Sequence, residues 1–303
     1  MSATGPAVVC AGIAVLDQIF ATAALPARAG KHFADGFTEV GGGPAATAAV
    51  AVARLGGRAR FWGRVGGDAT GCRILDELAE LGVDIAAARR IPDGRSSVSA
   101  VMVDAKGERM IIAFADKTLD PDTGFLPLHD LDSAQAVLVD ARWPNGARAV
   151  LQAARERGLP AILDADTTPD DAARALLPLA SHTAFSSGGL EQVTGSADPA
   201  EGLARAARMT EGWVAVTAGG DGCYWRDGER LAHLPAFPVA IRDTLGAGDV
   251  FHGALALALA EGQPIEAAVR FASAAAALKC TRPGGRAGIP SRAEVDTLLR
   301  EAA

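Results

Sequence analysis

Asp243–Gly262 reads DTLGAGDVFHGALALALAEG. A carboxylate stands at each end of a glycine–alanine–glycine turn, and a run of small and apolar residues follows. Val250, Phe251, Ala254, Leu255, Ala258 and Leu259 recur at helical spacing, which predicts a helix with one face on a sheet. Gly246, Ala247 and Gly248 then fall at its N-terminus, where amides lack intrahelical acceptors and the dipole is positive. Glycine lets a ligand approach the backbone closely. The combination predicts an anion hole suited to phosphate oxygens. Asp249, in the same first turn, is placed to take a proton from a nearby hydroxyl as a general base. A positioned nucleophile, a base and donors for spreading charge are the parts that phosphoryl transfer needs. Asp243, one loop earlier, either holds a cation or water or braces the turn. Taken singly, each aspartate is equally an ordinary first-turn or turn residue; the whole pattern is more specific.

Outward from this stretch the chain alternates. Residues 7–13 (AVVCAGI), 58–66, 136–141 and 160–166 read as strands. Residues 44–57, 70–84 and 146–158 read as helices bounded by glycine. Such alternation predicts an α/β fold with a mostly parallel sheet covered on both faces, and ligands at the carboxyl ends of its strands. Two segments break the rhythm. Residues 19–43 hold no convincing helix, and 95–119 read as a hairpin with its turn at 104–107. The expected division is an α/β core of residues 1–16, 44–94 and 120–303, which binds nucleotide and substrate, and a small β-sheet lid of 17–43 and 95–119. Surface hairpins without a gating role are the plainer alternative.

The 303 residues carry a net charge of −7 and no dense basic patch, which excludes nucleic acid as the main partner. No uncharged run is long enough to span a bilayer, no secretory leader is evident, and the four cysteines are scattered. A cytoplasmic protein with reduced thiols is expected. A nicotinamide-dependent oxidoreductase is disfavoured because Gly12 stands alone after the first strand, with no G-x-G-x-x-G. No G-x-S-x-G elbow supports a hydrolase. A non-catalytic sugar or nucleotide sensor of the same fold is the remaining rival, and the intact Asp249 loop argues against it.

With these residues in view, the chain resembles the PfkB, or ribokinase-like, carbohydrate kinase family. The matches are DTLGAGD, GIAVLD (residues 12–17), GGGPAATAAVAVARLGG (41–57), GRVGGDATG (63–71), VTAGGDG (216–222) and CTRPGGRAGIP (280–290), in family order over nearly the whole chain. The resemblance implies a three-layer α/β core with a β-sheet lid, and transfer of phosphate from ATP to a sugar hydroxyl with Mg²⁺; a monovalent cation is a further candidate. It implies that Asp249 is the base and that Gly246, Ala247 and Gly248 form the anion hole. It further implies that Asp17, Gly42 and Gly43 contact the sugar. Thr217, Gly219, Gly222, Thr244, Ser273 and Ala277, with Gly246 and Gly248, face the nucleotide. Two positions depart from the family pattern. Thr47 stands where an asparagine usually follows the glycine pair, and Ser186–Gly189 replaces the N-x-x-E motif that organises metal-bound water.

Within the family the chain is most similar to bacterial 6-deoxy-6-sulfofructose kinases, with ketohexokinase a more distant relative. The shared stretches include GGGPAATAA, DVFHGALA and KGER (106–109). That similarity implies that Arg142 and Lys31 bind a sulfonate, although Ala113 stands where the subgroup has an asparagine. A fork of guanidinium donors suits such an anion. Arg142 equally pairs with Asp140 or Asp164, and Lys31 is equally a solvated lid charge. Ketohexokinase, fructokinase, ribokinase and 2-keto-3-deoxygluconate kinase activities are the alternatives. Apolar lid faces also imply a homodimer through the lid. Two further readings concern neighbours of the site: His252, one helical turn past Asp249, touches the site or merely packs, and Asp164 and Asp166 face metal-bound water or brace a loop.

Overall fold

The computed structural model describes residues 5–302 except 106–107, 117 and 120–121. Lys106 and Gly107, half of the expected 104–107 turn, therefore lie outside the described residues. The first half of the chain forms β1 (Ala7–Gly12), β2 (Val15–Ala21), β3 (Gly36–Gly42), α1 (Pro44–Arg54), β4 (Arg58–Gly66), α2 (Ala69–Glu80), β5 (Arg89–Ile91), β6 (Ser97–Val103) and β7 (Arg109–Phe114). Next come β8 (Ala136–Asp140), α3 (Pro144–Glu156), β9 (Ala161–Ala165), α4 (Ala172–Leu176), β10 (His182–Ser186), α5 (Ser187–Thr194) and α6 (Pro199–Ala206). The chain closes with β11 (Trp213–Thr217), β12 (Cys223–Asp227), β13 (Arg230–Leu234), α7 (Ala247–Ala260), α8 (Ile265–Cys280) and α9 (Arg292–Glu301).

The large sheet runs β13-β12-β11-β10-β9-β8-β1-β4-β5, parallel from β5 to β11 and antiparallel at β12 and β13. All six residues of β1 are buried, as a strand covered on both faces requires. Val8 and Cys10 pack toward α1, α2, α7 and α8, whereas Val9 and Ala11 pack toward α3 to α6. This is an α/β fold with helices on both sides of the sheet. A second sheet, β3-β2-β6-β7, forms from the two segments that broke the alternation. It begins at Val15, immediately after β1, so the lid grows straight out of the central strand. One side of it leaves Phe37, Met110, Ile112 and Phe114 exposed.

The expected one-sided helix at 250–259 is buried differently. Every residue of α7 from Val250 to Ala258 is covered, because α1 lies on one side and α8 on the other. Apolar residues all round are what such a sandwich requires. The contact with α1 is backbone to backbone: a Cβ on Gly253 would lie 2.5 Å from the Ala48 carbonyl oxygen. Alanines along α1 permit the approach, and it brings the N-termini of the two helices together at the carboxyl end of the sheet. Among the described residues no helix is long and apolar enough to cross a membrane, and all four cysteines are free thiols.

Candidate active site

The loop before α7 ends in Gly246, left-handed at φ 77°, with no side-chain cap. The Ala247 amide turns back onto Thr244 O at 3.2 Å. That leaves Gly248 and Asp249 as the first-turn amides without an intrahelical acceptor. Gly248 is exposed, and a Cβ on it would meet nothing within 4 Å. The turn thus opens onto free space. A Cβ on Gly246 would lie 3.4 Å from Thr47 Cγ2 and 3.7 Å from Asp249 Oδ2, so Thr47 of α1 forms the wall opposite the carboxylate.

Asp17, on β2, stands across the lid sheet from Val40 and Ser99. Its Oδ1 accepts the Ser99 hydroxyl at 2.5 Å, and burial pushes its carboxyl up against the opposing pull of Ser99, Arg286 and Arg142. The next strand yields room for it: a Cβ on Gly42 would lie 2.1 Å from Asp17 Oδ2. Gly43, left-handed at φ 92°, then starts α1. Sequence reasoning missed Arg286, which ties these parts together. Its side chain is 2 % exposed. Nη2 donates to Gly42 O at 2.7 Å, Nε to Thr47 Oγ1 at 3.4 Å, and Nη1 faces Glu77 at 3.4 Å. Burial lowers its pKa, opposed by Glu77, Asp17 and Asp249. Only the GGR turn at 284–286 signalled it, at 244 positions from Gly42.

Asp140 is the second residue missed. It ends the apolar β8 with a buried carboxylate that accepts three amides: Ile13 at 2.8 Å, Ala45 at 3.2 Å and Arg142 at 2.9 Å. One side chain thereby pins the exit from β1, the start of α1 and the loop after β8. Gly12 is required beside it, since a Cβ there would lie 2.0 Å from Asp140 Oδ2. Arg64 supplies nearby positive charge; its guanidinium stacks on Trp143 at 4.4 Å, and burial lowers its pKa to about 10. Arg142 lies close to Pro44, Asp140, Asp164, Asp166 and Thr168. Its guanidinium bonds Asp166 at 2.8 Å, not Asp140 or Asp164. Lys31 is exposed in the loop between β2 and β3, and among the described residues it makes no ion pair.

Asp249 carries a strong electrostatic signature. Burial, then the neighbouring Asp164 charge, push it up to about 7, against His252 and Arg142. Such a carboxyl changes protonation near the working pH, as a general base should. Asp164 is 3 % exposed and raised well above the usual range by burial, with Asp166 and Asp140 adding to the shift. It faces His252 rather than solvent. Asp166 braces a loop, held by Arg142 and by the Ser186 hydroxyl at 2.8 Å.

The remaining residues line the same end of the sheet. Thr217 ends β11, its carbonyl accepting Ser187 Oγ at 3.2 Å. Gly219, at φ 53°, borders open space, whereas Gly222 is required because a Cβ would lie 2.1 Å from Leu234 O. Thr244 is exposed, and Ser273 and Ala277 keep partly open positions on α8.

Asp243 has a different partner set from the metal expected there. Oδ1 binds Arg109 of β7 at 2.8 Å and the Leu245 amide at 2.9 Å. Lys279, fully buried, donates to its carbonyl and to Oδ2, each at 3.0 Å. Burial pushes this carboxyl up, but these donors bring it below the usual range. A metal there would have to displace two cations. Ser186 is also spent, accepting the Gly189 amide to cap α5. Among the described residues no three His, Cys, Asp or Glu side chains converge on one point. The residues present do not fit a protein-held Mg²⁺. Mg²⁺ in such chemistry commonly rides on substrate phosphates and keeps its water.

Comparison with known proteins agrees with this geometry. The pfkB family carbohydrate kinase profile matches residues 6–292. The ribokinase of Bacillus subtilis is 31% identical over 266 residues, covering 87% of this chain and 89% of its own length. The fructokinase of Klebsiella pneumoniae is 31% identical over 280 residues, covering 85% and 91%. A crystallised Agrobacterium tumefaciens protein assigned as a ribokinase superposes with a TM-score of 0.94 at 42% identity, covering 98% of both chains. Arabidopsis thaliana ribokinase, solved with ribose and ATP, gives a TM-score of 0.87 at 27% identity, covering 98% of this chain and 99% of its own. A raised carboxyl at an open helix start, beside a glycine turn fitted around a second aspartate, is thus found on a chain that belongs to the pfkB family of carbohydrate kinases.

Proposed function

We propose that the chain transfers the γ-phosphoryl group of ATP to a primary hydroxyl, O1, of a ketose. The observation that carries this is the position of Asp249: a carboxyl that titrates near neutrality, in the first turn of α7, beside amides that open onto free space. Sugar hydroxyls bond Asp17 and the Gly42–Gly43 turn, since a fixed carboxylate accepts two hydrogen bonds from a diol. Nucleotide lies along Thr217, Gly219, Gly222 and Thr244, with adenine against Ser273 and Ala277. Closure of the lid excludes water, the competing acceptor. Asp249 takes the hydroxyl proton as oxygen attacks in line, and the free Gly248 and Asp249 amides of the turn stabilise the equatorial charge.

For the sugar, 6-deoxy-6-sulfofructose is the substrate proposed, with Arg142 and Lys31 receiving the sulfonate. Arg142 would exchange Asp166 for the anion, and Lys31 would move in with the lid. The neutral sugars ribose and fructose form a second reading, favoured by the Arg142–Asp166 ion pair and by the relatives' names. ADP release over sulfofructose, fructose, ribose, tagatose and 2-keto-3-deoxygluconate separates the two. Arg142→Ala raises KM for the anionic sugar alone under the first reading; turnover of neutral sugars only, with KM unmoved, removes it. We also propose a homodimer through the exposed face of β3 and β7 that carries Phe37, Met110, Ile112 and Phe114; sedimentation at a monomer's mass removes that pairing.

A further inference from the structure

His252 follows Asp249 by one turn of α7 and points into the core, 3 % exposed. Its Nδ1 lies 2.8 Å from the Gly248 carbonyl oxygen and 3.4 Å from Asp164 Oδ2. Its Nε2 lies 3.1 Å from the Ala184 carbonyl oxygen on β10. The two carbonyls can only accept. A neutral imidazole carries one N–H and one lone pair. Either neutral tautomer would therefore set a ring lone pair against a carbonyl lone pair at hydrogen-bond distance in a dry interior, which is repulsive. An imidazolium donates on both sides and meets both carbonyls.

The counter-charge is present. Asp164 stands on β9 directly beside the ring, and among the described residues its Oδ1 has no hydrogen-bond partner. A buried carboxylate needs a cation as much as a buried imidazolium needs an anion. The remaining charges around the pair are Asp249 on α7 itself, Asp166 beyond β9, Asp140 and Arg142 at the end of β8, and Arg286 on the far side of Asp249. Burial is the largest influence and pulls the ring's pKa below its ordinary value, against the two carbonyls and the carboxylates; the double acceptor geometry is the observation that argues for the charge.

We propose that His252 is held as an imidazolium paired with Asp164 behind the site, and that its charge keeps Asp249 an ionised carboxylate, ready for the hydroxyl proton. The second half rests on the reading of Asp249 as the base. His252 touches no reacting atom; it is a positioning residue that acts through charge. Asp164 and Asp166 favour the proton on Asp249, while the ring and Arg142 oppose them. The motif DVFHGALA thus places base and counter-charge on one helix face.

The direct test is the ring ¹⁵N spectrum of the wild-type protein labelled at histidine, with the His252 signals assigned by their loss in His252→Gln. At pH 8 the account expects two N–H type ring nitrogens for His252. A neutral tautomer at His252 overturns the proposal, whatever the enzyme's activity. The second readout is the acid limb of kcat/KM, expected near pH 7 in the wild type. In His252→Gln the limb moves up by about one pH unit, with KM for the sugar held within about twofold. A limb that stays in place overturns the link to Asp249. Failure of the wild type to turn over any sugar would instead remove the reading of the site, and the ring spectrum still decides the ion pair.

Discussion

Two helices of this chain start on a left-handed glycine, lack a side-chain cap and lie against one another, yet their N-termini differ in use. At α1 the first turn is filled. The Ala45 amide donates to Asp140, and a Cβ on Gly43 would lie 2.6 Å from Ile13 O. At α7 the first turn is open, with free space beyond Gly248 and a raised carboxyl at Asp249. A glycine-led helix start is therefore not an anion site by virtue of its dipole. What decides is whether the protein already occupies the amides. The closed start serves as the frame, and the open one is left for ligand.

Exchanging side chains between the two starts sharpens the contrast. Gly248→Val fits the open space, so melting stays within about two degrees while turnover falls at least about a hundredfold, as loss of anion-hole access should cost. Kinetics and thermal unfolding on the same sample check both halves. Gly43→Ala does the reverse. It forces a left-handed alanine into backbone atoms and costs about 2–4 kcal/mol of stability, read by denaturant unfolding. If Gly248→Val melts early and Gly43→Ala does not, the comparison is broken.

The titration of Asp249 gives a third handle. Its carboxyl rises from an ordinary 3.8 to about 7 in the fold, so the folded chain holds the proton more tightly than the unfolded chain. Stability from this group is present below about pH 4 and is lost as pH rises toward 7. Asp249→Asn should therefore raise the melting temperature at pH 8 and change it little at pH 4. An equal shift at both values would mean that the carboxyl is not raised. The smallest expected effect is at the lid. Arg109→Ala removes the bond from β7 to Asp243 and should raise KM for the sugar about two- to fivefold, with kcat nearly unchanged.

Much of this architecture was readable before the fold was known, for local reasons. Alternating apolar runs and glycine stops located the strands and helices, and a single seven-residue stretch located Asp249. What escaped reading depends on partners distant in the chain. Asp140 ends an apolar strand, and nothing nearby reveals that it binds amides from Ile13 and Ala45. Arg286 lies in a turn near the end of the chain, and its acceptor is Gly42. The partners of Asp243 come from the lid and from α8, which no local pattern joins. Periodicity found one face of α7 and missed the other, because spacing reports an apolar stripe but not what covers the opposite side.

The central claim is that the open start of α7 moves phosphate onto a sugar hydroxyl through Asp249. Sugar-dependent ADP release by Asp249→Asn, with ATP binding measured on the same preparation, tests it most directly. The account predicts turnover lowered by about a thousandfold with ATP affinity within about threefold of the wild type. Turnover near the wild-type rate in that variant would contradict it.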